Sequence, residues 1–201
     1  MAATPLALLF VFRAPPAGEV STAEAALVES IVGTVWVRGT DTPVSRFLLA
    51  DYAVPVGSGL RSSANGRVAL RLSSGHSLRL DGSTLVRLLG DDLVALDGGR
   101  IYVDSEIDHD NAAALTVTTP LGEVRGARMQ VEVRSQDDGL RVRLREGTVE
   151  LVREGERLSV EEGEELTVDP QGTLTRRELS SDGPEWDWLV DLASPTDPDE
   201  D

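Results

Sequence analysis

From Ile31 to about Arg176 apolar side chains recur at every second position rather than every third or fourth. Val68, Leu70 and Leu72 alternate with Arg67, Ala69 and Arg71, and Leu78 and Leu80 flank Arg79. Met129, Val131 and Val133 alternate with Gln130 and Glu132, and Leu140, Val142 and Leu144 with Arg141 and Arg143. A period of two puts each apolar set on one face of a strand and the charged set on the other. One face is then buried and the other wet, as in antiparallel sheets. Glycine-containing pairs separate these runs: Asn65-Gly66, Ser74-Gly75, Asp81-Gly82, Asp97-Gly98-Gly99, Asp138-Gly139, Glu146-Gly147, Glu154-Gly155, Glu162-Gly163 and Gln171-Gly172. Glycine supplies the positive φ that tight hairpins require. Many short strands at this cadence predict an all-β fold. We expect an antiparallel two-sheet sandwich of jelly-roll-like type, with a β-solenoid-like arrangement as the alternative. Uneven strand lengths and the lack of a strict repeat favour the sandwich.

A weak internal echo aligns Leu96 to Val103 (LDGGRIYV) with Leu144 to Leu151 (LREGTVEL), 48 residues apart. Either any two hairpins look alike or a half-domain has been duplicated. Helix is expected in two places. Ser21 to Ser30 (STAEAALVES) could make two or three turns before the first strand. Gly183-Pro184-Glu185-Trp186-Asp187-Trp188-Leu189-Val190 starts with a proline suited to a first helical turn. In that helix Trp186 faces Leu189 and Val190, and Trp188 faces Leu192. The resulting organisation is an apolar segment over 1–13, a linker or short helix over 14–30, a β domain over 31–180, a Trp-containing capping helix over 181–193 and an acidic tail over 194–201.

The apolar run Pro5 to Phe12 is far shorter than the about 20 residues of a spanning helix. No basic residue precedes it, and Arg13 and a proline-rich spacer follow. Three readings stay open: the remnant of a membrane anchor, a weak signal peptide, or the N-terminus of a soluble protein. The acidic tail holds no apolar side chain beyond proline and is expected to be disordered.

Composition narrows the chemistry. The 201 residues carry a formal net charge of −16, with no Cys, no Lys, 19 Arg and two His. Eight of the carboxylates lie between Asp182 and Asp201, where there is no Arg. Such a balance argues against nucleic acid and anionic membrane surfaces as partners. Absence of Cys rules out thiol catalysis, disulfides and iron–sulfur clusters, and two isolated His disfavour a multi-His metal site.

Thr119-Pro120-Leu121-Gly122-Glu123-Val124-Arg125-Gly126-Ala127 leads into the strand Met129 to Val133, then through a glycine turn to Leu140 to Leu151. Upstream lie Gly66 to Leu72 and Gly75 to Leu80, in the middle Leu96 to Ser105, and downstream the Trp-x-Trp segment. This ordered series resembles the FecR family of periplasmic regulators over roughly residues 31 to 193. Gly122, Val124, Gly126 and Gly147 are its candidate structural motif. The resemblance implies an all-β periplasmic sensory domain without enzymatic activity or cofactor. It also implies a protein partner, such as the signalling domain of an outer-membrane receptor or an envelope protease, in an iron-uptake or envelope pathway acting on a sigma factor. Location would be periplasmic, with an inner-membrane anchor if the N-terminal run is its remnant. The sequence departs from the family layout in having no cytoplasmic region ahead of that run, and in stopping soon after Trp188. The anti-sigma role is therefore not carried over, only the sensory part. The rival reading is a structural or cell-wall-associated envelope domain.

Residue chemistry adds little that is catalytic. Asp104, Glu106, Asp108, His109 and Asp110 cluster, but lack the glycine and distal Glu of a calcium loop and read as a solvated acidic loop. His76 sits in a hairpin turn with no nucleophile motif near it and reads as a surface turn histidine. No catalytic, cofactor or metal site is expected. Trp186 and Trp188 are the candidate partner-binding residues, because Trp is enriched at interface hot spots. The competing reading has their indoles closing one end of the β core. The strand-face arginines read as guards against edge pairing, or, less commonly, as a docking face for an acidic partner.

Overall fold

A computed structural model of the chain describes residues 23–40, 44–105, 113–180, 183 and 186–189. The expected apolar segment at 1–13, the residues Glu106 to Asp110 and the acidic tail lie outside them. Strands run in chain order β1 (Glu24–Val32), β2 (Val35–Arg38), β3 (Arg46–Phe47), β4 (Ala53–Pro55), β5 (Gly59–Ser62), β6 (Arg67–Leu72), β7 (Ser77–Leu80) and β8 (Leu85–Leu88). They continue with β9 (Leu93–Asp104), β10 (Leu115–Thr119), β11 (Gly122–Gly126), β12 (Met129–Gln136), β13 (Gly139–Gly147), β14 (Val149–Arg153), β15 (Glu156–Val160), β16 (Glu164–Val168) and β17 (Leu174–Glu178).

The strands form two layers. The first sheet has the order β4-β1-β6-β7-β9-β12-β13-β16-β17. The second has the order β3-β2-β5-β8-β9-β10-β11-β14-β15. Among the described strands only β9 and β10 pair in parallel. The expected two-sheet sandwich is therefore what the chain forms. Its connectivity is progressive: the hairpins β6–β7, β12–β13 and β16–β17 join the first sheet, while β10–β11 and β14–β15 join the second between them. Each new hairpin extends a layer next to its predecessor, so two opposed sheets grow along the chain in the sequential manner of a solenoid.

The period-two faces meet in the middle. Val68, Leu70, Leu72, Leu78 and Leu80 from β6 and β7 are buried together with Met129, Val131, Val133, Leu140, Val142 and Leu144 from β12 and β13. Val86, Val94, Leu96, Leu115, Val117, Val124, Val149 and Leu151 close the core from the second sheet. Each such side chain contributes roughly 1.5–3 kcal/mol by leaving water.

Four local expectations are corrected. Asp97-Gly98-Gly99 is no turn but lies inside β9, whose first half pairs with β8 and β10 and whose second half pairs with β7 and β12. The strand bends from one sheet into the other at Gly99, whose φ of +101° and close approach to Thr84, 2.5 Å from where a Cβ would stand, admit no side chain. Glu146-Gly147-Thr148 is likewise a crossing, from β13 to β14. The echo between the two stretches marks two corners where the chain changes sheets. Residues 24–30 are strand, not helix, because β1 finds ladders on both sides, with β4 and β6, and buries Ala25, Ala26 and Val28. Tertiary pairing overrides the helix propensity of Glu and Ala. The capping helix is a single 3₁₀ turn at 186–189 among its described residues.

Candidate functional site

The outer face of the first sheet carries a row of alternating charge. Arg67 Nε donates to Asp81 Oδ1 at 2.9 Å, and Arg100 Nε to Asp81 Oδ2 at 2.8 Å. Arg100 also lies 3.7 Å from Glu132. Arg143 Nη1 donates to Glu132 Oε1 at 3.1 Å and its Nε to Glu165 Oε2 at 2.6 Å, and Arg177 reaches Glu165 at 3.1 Å. The period-two pattern places these residues on the polar face, but that face is not simply wet: the Glu132 side chain is only 1% exposed.

The cover is the Trp turn. Trp188 Nε1 donates to Glu132 Oε2 at 2.8 Å, and its ring lies 4.5 Å under the Arg100 guanidinium. Trp186 donates to the Ser180 carbonyl at 3.2 Å and packs edge-on against Tyr102, with ring centroids 6.1 Å apart. Arg79 donates to the Leu189 carbonyl at 3.5 Å. Tyr102, Trp186, Trp188 and Leu189 thus make a small second core outside the first sheet. The candidate residues Trp186 and Trp188 are brought together, and both point inward, onto the sheet's outer face rather than the end of the sandwich.

Burial sets the electrostatics here. It raises the Glu132 carboxyl above its ordinary value, against the opposing pull of Arg143, Trp188 and Arg100. Burial and the nearby Asp104 push the Tyr102 hydroxyl up to about 12. At Asp81 burial also opposes ionisation, but hydrogen bonds from Arg100, the Gly82 amide and Arg67 outweigh it and hold the carboxyl below its usual value. Glu165 behaves like Asp81: Arg177 and Arg143 overcome its burial.

The second sheet's outer face is different. Register across β3, β2, β5 and β8 lines up Phe47, Trp36, Arg61 and Leu85. The neighbouring row is Arg38, Gly59 and Arg87. Trp36 and Phe47 stack with centroids 6.3 Å apart, and Phe47 is 67% exposed. Between the rows lies a groove of roughly 650 Å³. Trp36 was missed in the sequence. The signal for it was there: in Val35-Trp36-Val37-Arg38 the alternation buries the valines and sends Trp36 outward beside Arg38.

The remaining sequence candidates are structural in place. Gly122 and Gly126 bound β11, where added Cβ atoms would stand 3.0 Å from Val152 O and 2.6 Å from Met129 Sδ, and Val124 is fully buried. Gly147 has φ +93° with Arg128 O 2.1 Å from an added Cβ. His76 is not the surface turn histidine expected but is buried beside Ser74, Oγ to Nδ1 3.0 Å, and burial lowers its pKa. Among the described residues no group of three or more His, Cys, Asp or Glu could hold a metal, and no helix is long and apolar enough to cross a membrane.

With this geometry in view, comparison with known proteins gives a family likeness over part of the chain. Residues 58–150, from the residue before β5 into β14, match the family model described as FecR protein. Over this segment, a little under half of the chain, the sequence is similar to FecR proteins. Two crystal structures of a candidate anti-sigma factor from Parabacteroides distasonis ATCC 8503 share the fold, with TM-scores of 0.54 and 0.53 at 18% and 17% identity. Each likeness covers 61% of this chain and 60% of the other. No curated protein matches the sequence. The FecR segment contains the β8–β9 corner, the hairpin β12–β13 and the buried Glu132, and it leaves the Trp turn and β17 outside.

Proposed function

We propose that this chain is a non-enzymatic sensory or regulatory binding domain of the cell envelope that relays an envelope or iron-uptake signal to a sigma-factor pathway through protein contacts. The observation that carries this reading is the match of residues 58–150 to the model of the FecR proteins. The shared fold of a candidate anti-sigma factor fits it. The scaffold suits the role. A cross-braced two-layer sandwich changes little on binding and presents fixed faces and edges. Among the described residues the edge strand β17 has one neighbour, β16, and all five of its residues are exposed. Its free backbone groups suit strand addition, in which main-chain hydrogen bonds supply affinity. Trp186 and Trp188 enter as a latch: a partner that reaches the Glu132 row must first lift the turn.

The test is transcriptional. In the host, deleting residues 58–150 should change expression of a small set of genes dependent on one alternative sigma factor. The intact gene should restore them. An unaltered transcriptome under iron limitation and envelope stress would overturn the signalling role.

A further inference from the structure

Arginine is this chain's only fixed cation, and carboxylates outnumber it, 35 to 19. Nearly every described arginine has found a partner. Arg67, Arg71, Arg87, Arg100, Arg125, Arg134, Arg143, Arg153, Arg157, Arg176 and Arg177 hold carboxylates. Arg38 and Arg61 stand apart: among the described residues they are the arginines with no hydrogen bond, ion pair or ring contact. Both face the groove on the second sheet, on either side of the half-buried Trp36. Nearby Arg46 reaches no carboxylate and bonds the Tyr52 hydroxyl.

The apolar side of the same surface is also uncovered. Phe47 and Leu49 are 67% and 70% exposed, and Leu85 continues the row beyond Arg61. Aromatic residues with arginine, and no lysine, form the composition that marks protein-interface cores. The floor of the groove is Gly59, where an added Cβ would meet nothing nearer than 3.8 Å. Its backbone needs no glycine, since its φ is not positive, so the missing side chain leaves open space between Arg38 and Arg87.

We propose that this groove binds an acidic peptide segment of a partner protein, with carboxylates on Arg38 and Arg61 and an apolar or aromatic side chain against Trp36 and Phe47. The proposal rests on reading the chain as a protein-binding module and names the chemistry of its partner. Charge complementarity selects the occupant. The chain carries a formal charge of −16, so a site that attracts anions needs arginines whose charge no carboxylate of the described residues offsets. Arg87 is held bidentately by Asp97, at 2.7 and 2.8 Å, and serves as a wall of the groove rather than as a ligand.

The test is an array of twelve-residue peptides in which the number of Asp and Glu residues and the number of Phe and Leu residues vary independently. It is probed with the full chain and read by fluorescence titration of the best binders. Affinity should rise with both variables and fall at least tenfold between low and high salt. Arg38→Glu with Arg61→Glu should remove it, and so should Gly59→Leu, which fills the floor. Thermal unfolding of these variants should match the parent, because the altered side chains are exposed or occupy open space. Affinity indifferent to peptide charge, affinity unchanged in the variants, or no peptide bound at millimolar concentration would each overturn the proposal. The transcriptional test of the signalling role is independent of this array, so one can fail while the other stands.

Discussion

Two tryptophan–arginine surfaces lie on opposite sides of this sandwich, and they have opposite fates. On the first sheet Trp188 lies against Arg100 and donates to Glu132, and every charge in the row from Arg67 to Arg177 is answered by its neighbour. On the second sheet Trp36 stands beside Arg38 and Arg61, and among the described residues no carboxylate answers either. The residue types are the same. The difference is whether the chain supplies the complementary carboxylate and a segment to lie over it. Where it does, Trp and Arg become packing, and where it does not, they remain available. Composition alone could not separate these outcomes, because net charge says nothing about which arginine is paired.

The largest expected effect breaks the closed surface. Glu132→Ala removes a buried acceptor at the centre of the row and should cost about 3 kcal/mol in chemical unfolding. Glu132→Gln keeps an acceptor for Trp188 and should cost far less. Equal losses in the two variants would mean that the negative charge facing Arg143 and Arg100, not an acceptor for Trp188, holds the turn. Next comes Gly147→Ala at the corner between β13 and β14. A side chain there combines positive φ with a carbonyl 2.1 Å away, so a loss of about 2 kcal/mol is expected. A neutral outcome would show that the crossing relaxes freely and that the two sheets are less tightly coupled than the register implies.

Acid separates the groups of the closed face. Asp81 and Glu165 sit below their ordinary values, so they stabilise the fold above about pH 4 and lose that contribution as pH falls through the native values. Glu132 is raised, so it acts in reverse: protonation favours the folded form, and its ionisation weighs against the fold as pH rises. Glu132→Gln should therefore steepen the loss of stability between pH 7 and pH 3. A shallower loss than in the parent would contradict the assignment. The smallest effect on stability is predicted for the open face, where Arg38→Glu with Arg61→Glu should change unfolding by less than about 0.5 kcal/mol.

How much of this was legible depends on what each residue answers to. β6, β7, β12 and β13 were readable because their alternation is strict and one face has to be dry. Asp97-Gly98-Gly99 misled because a glycine pair permits a sharp corner inside a strand as readily as a hairpin, and only the partners of β9 decide between them. Residues 24–30 misled because local propensity spoke for helix while β4 and β6 supplied ladders far away in sequence. Glu132 was read as wet because the pattern of its own strand cannot reveal a Trp turn arriving 56 residues later. Trp36 could have been found, since a large aromatic ring on the polar side of a strict alternation is conspicuous. The unpaired state of Arg38 and Arg61 could not, because it is a statement about every carboxylate near them.

Proton exchange at the three indole nitrogens, followed by nuclear magnetic resonance on the nitrogen-15-labelled chain, tests the contrast most directly. The signals of Trp186 and Trp188, bonded to the Ser180 carbonyl and to Glu132, should exchange slowly. That of Trp36 should exchange fast, and on titration with an acidic aromatic peptide it alone should shift. Slow exchange at Trp36, or a shift at Trp186 or Trp188 with none at Trp36, would contradict the division into a closed and an open face.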